Sequence, residues 1–96
     1  MRVVYSPEAE AELVEIAGYI AQDSERQAEA FVARLRKKAE AISHMPRIYR
    51  RRDDLGLGLR SAVVGKHLIV FRIMDDGIEV SRVVHGARDL KRLFET

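Results

Sequence analysis

The chain has 96 residues, of which 47% are hydrophobic and 33% are charged, and its formal net charge is +2. This length and composition predict one folded domain spanning residues 1–96 and argue against a disordered chain. The lack of cysteine excludes disulfides and thiolate zinc sites, and no apolar run reaches the roughly 20 residues that cross a bilayer, so we expect a cytoplasmic protein.

The charges are unevenly distributed along the chain. Residues 1–30 carry seven acidic and two basic side chains, whereas residues 31–74 carry eleven basic and three acidic ones. The basic middle segment is either ordinary solvated surface or a surface for an acidic partner, protein or nucleic acid, and the sequence leaves both interpretations open.

The N-terminal residues predict a strand followed by a helix. Val3–Tyr5 is β-branched and aromatic, which favours a short strand. Ser6 and Pro7 are typical of an N-cap and a first helical position, and we expect this helix to end near Gln22. Its apolar face is formed by Leu13, Ile16, Ala17 and Ile20.

A second helix is predicted to begin after Ser24, which forms a capping-box pattern with Gln27, and to run to about Ser43. Its apolar face is formed by Ala28, Phe31, Leu35, Ala39 and Ile42. The connection to the first helix is short, so the two helices are expected to pack as an antiparallel hairpin.

The second half of the chain predicts three consecutive strands. Arg47–Gly58 lacks any periodicity and is expected to be a long irregular loop. Leu59–Val64 favours a strand, and Gly65–Lys66 a tight turn into the next strand, which begins at His67. Gly86 ends the last strand, and a short basic helix follows.

The last two strands are predicted from alternating apolar residues and a turn. The alternating positions are Ile69, Phe71 and Ile73 on one strand, and Ile78, Val80 and Val84 on the other. Asp75–Gly77 supplies the turn, with Gly77 free to take a positive φ. The sequence fits a two-residue or a three-residue turn, and the choice changes which side chains lie opposite one another.

The predicted fold is therefore α+β with the element order β-α-α-β-β-β-α. An antiparallel sheet should carry the N-terminal helical hairpin on one face, because neither amphipathic helix is stable alone. The first strand is expected at an edge of the sheet or beside the last strand.

This order, together with SPEAEAELVEIAGYI near the start and FRIMDDGIEVSRVVHGARDL near the end, resembles the RelE/ParE superfamily of toxins from type II toxin–antitoxin operons. The resemblance covers nearly the whole chain and is greatest to the ParE branch. RelE-like members are metal-free messenger-RNA endonucleases that cut on the ribosome, whereas ParE-like members resemble inhibitors of DNA gyrase. The resemblance implies neither a metal nor a cofactor.

The residues that the nucleases use are only partly present. The arginine after the last strand matches Arg88, but the nuclease tyrosine falls at Phe94, which has no hydroxyl. A nuclease arginine falls at Leu68, and of the paired lysines at most Arg60 is cationic. A nuclease would therefore depend on Arg60, His85 and Arg88, with His85 as the general base.

The other interpretation of His85 is a histidine at a strand end that bonds to the following turn. Arg72 and Arg82 lie among apolar strand residues, so at least one of them needs a carboxylate. The candidates are Glu79 within the sheet or an acidic tail of a partner, and the sequence does not decide between them. The predicted partner-binding residues are Arg60, Arg72, Arg82, Arg88, Lys91 and Arg92.

The sequence thus favours a ParE-like toxin that inhibits gyrase by contact. The resemblance implies a cognate ParD-like, DNA-binding antitoxin, whose C-terminal tail wraps the toxin in a hetero-oligomer. The alternatives are a RelE-like ribonuclease with a diverged site and a homologue that has lost its activity. We expect the toxic contact at Arg82, Arg88, Lys91 and Arg92.

Overall fold

The computed structural model describes residues 1–87 and 90–94, with Lys91 and Arg92 described for their backbone only. Its elements are β1 (Arg2–Tyr5), α1 (Pro7–Ala21), α2 (Glu25–His44), a 3-10 turn (Pro46–Ile48), β2 (Arg50–Arg51), β3 (Leu59–Val64), β4 (His67–Met74), β5 (Gly77–His85) and α3 (Leu90–Phe94). Two helices followed by a sheet confirm the predicted α+β fold and its element order.

Both long helices begin at the predicted caps. The Ser6 hydroxyl accepts a hydrogen bond from the Ala9 N–H at 3.0 Å, and the Ser24 hydroxyl accepts one from the Gln27 N–H at 3.2 Å. Each bond satisfies a backbone donor that the helix itself leaves unpaired. Within the described residues, no helix is long and apolar enough to cross a membrane.

The five strands form one sheet in the order β1-β5-β4-β3-β2. The antiparallel meander β3-β4-β5 is confirmed, and Val64 pairs with His67 across the predicted two-residue turn. Strand β1 lies at the edge beside β5, as predicted, but runs parallel to it, so the sheet is mixed. No turn joins β1 to β5, and for that reason the sequence does not fix their relative direction.

The role predicted for Gly77 is wrong. Met74 pairs with Gly77, which makes Asp75–Asp76 a two-residue turn and places Gly77 inside β5 without a positive φ. A Cβ on Gly77 would lie 1.7 Å from the carbonyl oxygen of Arg2. Glycine is needed here because the backbone of β1 approaches so closely, and not because of the turn.

A bulge in β5 changes which residues face the helices. Val70 pairs with Arg82, and Phe71 with Val80, so Ser81 has no partner on β4. An extra residue reverses the alternation beyond it. As a result Val83 joins the core, while Val84, which the simple alternation predicted for the same face as Val80, lies on the opposite face.

The segment predicted as one irregular loop contains two short elements. The Tyr49 N–H donates to the Pro46 carbonyl at 3.4 Å in the 3-10 turn, and Arg50–Arg51 pairs with β3. Leu55, at the centre of the loop, is buried. No periodicity is visible in this segment because two paired residues are too few to produce one.

The core lies between the helical hairpin and one face of the sheet. It contains Leu13, Leu35, Ala39, Ile42, Ile69, Phe71, Ile78, Val80 and Val83, together with Ala9, Ala62 and Val64. The predicted apolar faces of both helices are thus represented in one cluster. Burying these faces stabilises helices that are too short to be stable in isolation.

Candidate partner-binding surfaces

The two ends of β5 have different neighbours. Strand β1 pairs with β5 only as far as Val80, and beyond that point α1 lies along the same edge. The Ser6 hydroxyl donates to the Ser81 carbonyl at 2.6 Å, and the Val83 N–H donates to Oε1 of Glu12 at 2.8 Å. Two side chains of the α1 region therefore satisfy backbone groups that a neighbouring strand would otherwise pair.

Arg82 is bound to the same carboxylate. Its Nε and Nη2 both donate to Oε2 of Glu12, at 3.0 and 2.7 Å. These hydrogen bonds raise the pKa of Arg82 above its usual value and outweigh the effect of burial, which lowers it. The guanidinium also lies 5.3 Å from the centroid of the Phe94 ring, a cation–π distance. Arg82 is thus held by intramolecular contacts.

Arg72 has the partner that the sequence suggested. It lies directly opposite Glu79, and its Nε donates to Oε1 of Glu79 at 2.9 Å. The Arg72 side chain is 58% exposed, so the pair lies at the surface. An exposed pair of this kind contributes about 0.2–1 kcal/mol, which leaves Arg72 able to exchange this partner for another carboxylate.

Arg72 and Arg82 therefore pair with different carboxylates. Glu79 binds Arg72, whereas Arg82 binds Glu12 of α1, which was not among the carboxylates expected from the sequence. The contact joins residues 70 positions apart. The only signal in the sequence was an arginine among apolar strand residues.

Arg60 lies at the opposite side of the sheet, next to two other arginines. Its Nη1 donates to the Tyr49 carbonyl at 2.8 Å and to the Arg47 carbonyl at 3.4 Å. Arg47, Arg51 and Arg60 line a shallow hollow, in which Arg51 is paired with Asp53 at 2.8 Å. The guanidinium groups give this hollow the charge needed to receive an anionic group.

His67 and His85 form an aromatic pair at the other end of the strands. Their ring centroids are 5.3 Å apart, and Phe31 lies 5.1 Å from His67 on the far side. Burial, followed by the positive charge of His85 when protonated, lowers the pKa of His67. Nδ1 of His85 accepts a hydrogen bond from the Ala87 N–H at 3.1 Å, which matches the interpretation of a strand-end histidine bonding to the next turn.

The structure does not bring Arg60 and His85 together. Arg60 lies opposite Phe71, and His85 lies opposite His67, four residues earlier on β4. This separation is about 13 Å along the strands, and the two residues are also two strands apart. Their positions disfavour joint action on one phosphodiester. Arg88, the third residue of that group, lies outside the described residues.

The expected toxic contact, formed by Arg82, Arg88, Lys91 and Arg92, is described only in part. Arg82 is placed as above, but Arg88 lies outside the described residues, as do the side chains of Lys91 and Arg92. Across residues 1–87 and 90–94, no group of three or more histidine, cysteine, aspartate or glutamate side chains is arranged to hold a metal ion.

The fold is similar to that of a solved protein described as "Chromosomal ParDE TA system from P. aeruginosa". The TM-score is 0.74, and the match covers 88% of this chain and 95% of that one at 17% sequence identity. At this identity the likeness establishes the class of fold alone, a small α+β domain. No curated protein matches the sequence.

The family follows from the sequence. The profile of the family described as "ParE toxin of type II toxin-antitoxin system, parDE" matches residues 3–90. The chain therefore belongs to the ParE toxins of type II toxin–antitoxin systems, as its resemblance implied. A ParDE system includes an antitoxin, so a cognate antitoxin is the partner that family membership implies.

Proposed function

We propose that this ParE toxin inhibits DNA gyrase by direct contact and that a cognate ParD-like antitoxin holds it inactive in a hetero-oligomer. The toxin acts in the cytoplasm as a single domain. Membership in the ParE family supports this function. The observation that carries it against RNA cleavage is Phe94, which occupies the nuclease tyrosine position with a ring that lies over Arg82.

The surroundings of the other nuclease positions support the same proposal. Cleavage of a phosphodiester requires charge at the phosphate and a group that moves a proton. Leu68 supplies no charge, Arg82 is bound to Glu12, and Arg60 is about 13 Å from His85 along the strands. The cations of this toxin are dispersed over surfaces, an arrangement that suits contact with another protein.

The toxic contact is assigned to Arg88, Lys91 and Arg92. Arg82 is given a structural role and not a place in this contact, because its guanidinium is held by Glu12 and Phe94. The other three cations lie within ten residues of the C-terminus. They would meet an acidic surface of gyrase or the phosphates of its bound DNA.

The test compares purified toxin with the double variant Arg88→Ala/Arg92→Ala in a gyrase supercoiling assay. We expect the double variant to inhibit roughly tenfold less strongly or worse, because two cations of the contact are lost. The matched control, Arg2→Ala/Arg26→Ala, removes two exposed cations elsewhere. It should inhibit as the unmodified toxin does, and all three proteins should still bind the antitoxin.

Two results would overturn the proposal. Equal inhibition by the double variant and its control would place the contact elsewhere on the toxin. Codon-specific cleavage of ribosome-bound messenger, abolished by His85→Ala, would make the protein a nuclease with His85 as its general base.

A further inference from the structure

Strand β3 has an open edge beside β2. In antiparallel pairing, alternate residues turn both backbone groups to the same side. The Leu59 carbonyl accepts from the Arg52 N–H on the β2 side, and Ser61 pairs with Arg50, so Val63 is the next residue facing that way. Strand β2 ends before it reaches Val63.

The chain before β2 does not fill this position. Residues 46–48 form a 3-10 turn, in which the Ile48 N–H donates to the Met45 carbonyl at 3.4 Å. Among the described residues, no loop or helix group bonds to the Val63 backbone. The Val63 side chain is 65% exposed, while its neighbours Ala62 and Val64 are buried under the helices. An open edge with an exposed valine is the kind of site that pairs with another strand.

A basic groove runs along this open edge. It has a volume of about 350 Å³ and is lined by Val63, Val64 and four residues of α2. Three of those four are Arg34, Lys37 and Lys38, spaced so that they lie on one side of the helix. Within the described part of the chain, Arg34 and Lys37 form no ion pair, and Lys38 lies 5.3 Å from the Tyr49 ring.

We propose that the open edge of β3 binds an extended acidic peptide segment by strand addition. The segment pairs with the backbone N–H and carbonyl of Val63, next to β2. Its side chains alternate between the two faces of the sheet. Those on the helix side meet Arg34, Lys37 and Lys38, and those on the other side lie beside the exposed Val63 side chain.

This geometry specifies the sequence of the bound segment: acidic residues at every second position and apolar residues between them. The assignment of this segment to the antitoxin rests on the proposed function. The chemistry of the site does not depend on that function. An acidic antitoxin tail that folds on binding would also neutralise the net positive charge of residues 31–74.

The binding probe is a fluorescent peptide of about ten residues in which glutamate and valine alternate, long enough for one strand. One control peptide has lysine in place of glutamate, and a second has the glutamates and valines in two blocks. The alternating acidic peptide should bind the full-length toxin and weaken as salt is raised. Binding of the lysine peptide or the block peptide with equal affinity would overturn the proposal.

Two pairs of variants locate the peptide. Val63→Pro removes the outward N–H without touching the bonds to β4, and Val63→Thr retains it. The double variant Arg34→Gln/Lys37→Gln is matched by Arg2→Gln/Arg26→Gln, which removes two exposed cations outside the groove. We expect Val63→Pro and the groove variant each to weaken binding about tenfold, and their matched controls to bind normally.

If Val63→Pro fails to fold, hydrogen exchange of the unmodified toxin tests whether the peptide pairs with the Val63 backbone. The Val63 amide should exchange at least about tenfold more slowly in the complex. An unprotected Val63 amide, or equal binding by folded Val63→Pro and Val63→Thr, refutes the site. Antitoxin that neutralises the toxin and binds all variants equally refutes the assignment of the segment to the antitoxin. Toxin that binds the peptide without inhibiting gyrase refutes only the proposed function.

Discussion

Glu12 accepts hydrogen bonds from both the Arg82 guanidinium and the Val83 N–H, and the Glu12 side chain is only 18% exposed. Glu12→Ala leaves a guanidinium and a backbone donor without their acceptor. We expect it to lower the free energy of unfolding by about 2–3 kcal/mol, measured by urea denaturation. Glu15→Ala on the same helix is the control, and as an exposed substitution it should change the value by less than about 0.5 kcal/mol. Equal effects would remove the structural role given to Glu12.

His67 gives the molecule a pH dependence of known sign. Burial, followed by the charge of His85, lowers its pKa below the usual 6.5, so the folded state favours the neutral ring. The associated stability is present above pH 6.5 and is lost as pH falls through that value toward the folded pKa. We expect the free energy of unfolding to fall from pH 7 to pH 5, and His67→Gln to reduce that slope. A slope in His67→Gln equal to that of the unmodified protein would contradict the assignment.

At the scale of the elements, two glycines allow a matched comparison. Gly77→Ala would place a methyl group 1.7 Å from the Arg2 carbonyl, so β1 must move away from β5. At Gly18, in α1, an added Cβ meets nothing within 4 Å. We expect Gly77→Ala to destabilise the fold by more than about 3 kcal/mol and Gly18→Ala to stabilise it by up to about 1 kcal/mol. Thermal melts of the two variants measure the difference, and similar melting temperatures would show that β1 can detach at little cost.

At the scale of the whole molecule, folding pairs some of the charges that the sequence separates. Acidic α1 lies against basic α2 and β5, where Glu10 approaches Arg36 at 3.7 Å and Glu12 holds Arg82. Arg34 and Lys37, on the same basic helix, remain outside these pairs in the described structure. Part of the net positive charge of residues 31–74 therefore lies on the side of α2 that borders the open edge of β3.

The sequence by itself determined the two long helices and the strands of the meander, because their signals are local. The caps at Ser6 and Ser24, the apolar stripes of both helices and the alternation in β4 each depend on residues within a few positions of one another. The closing motif carried enough information for the ParE resemblance, which the family profile over residues 3–90 confirms. These features do not require knowledge of distant contacts.

Only the tertiary structure decided how distant segments meet. The parallel pairing of β1, the close approach at Gly77 and the Glu12–Arg82 pair all join residues 70 or more positions apart. The bulge at Ser81 is likewise visible only in the pairing of β4 with β5. The open edge at Val63 likewise depends on where β2 ends. Side-chain periodicity reports which face of an element is apolar, but it carries no information about which distant backbone lies beside that element.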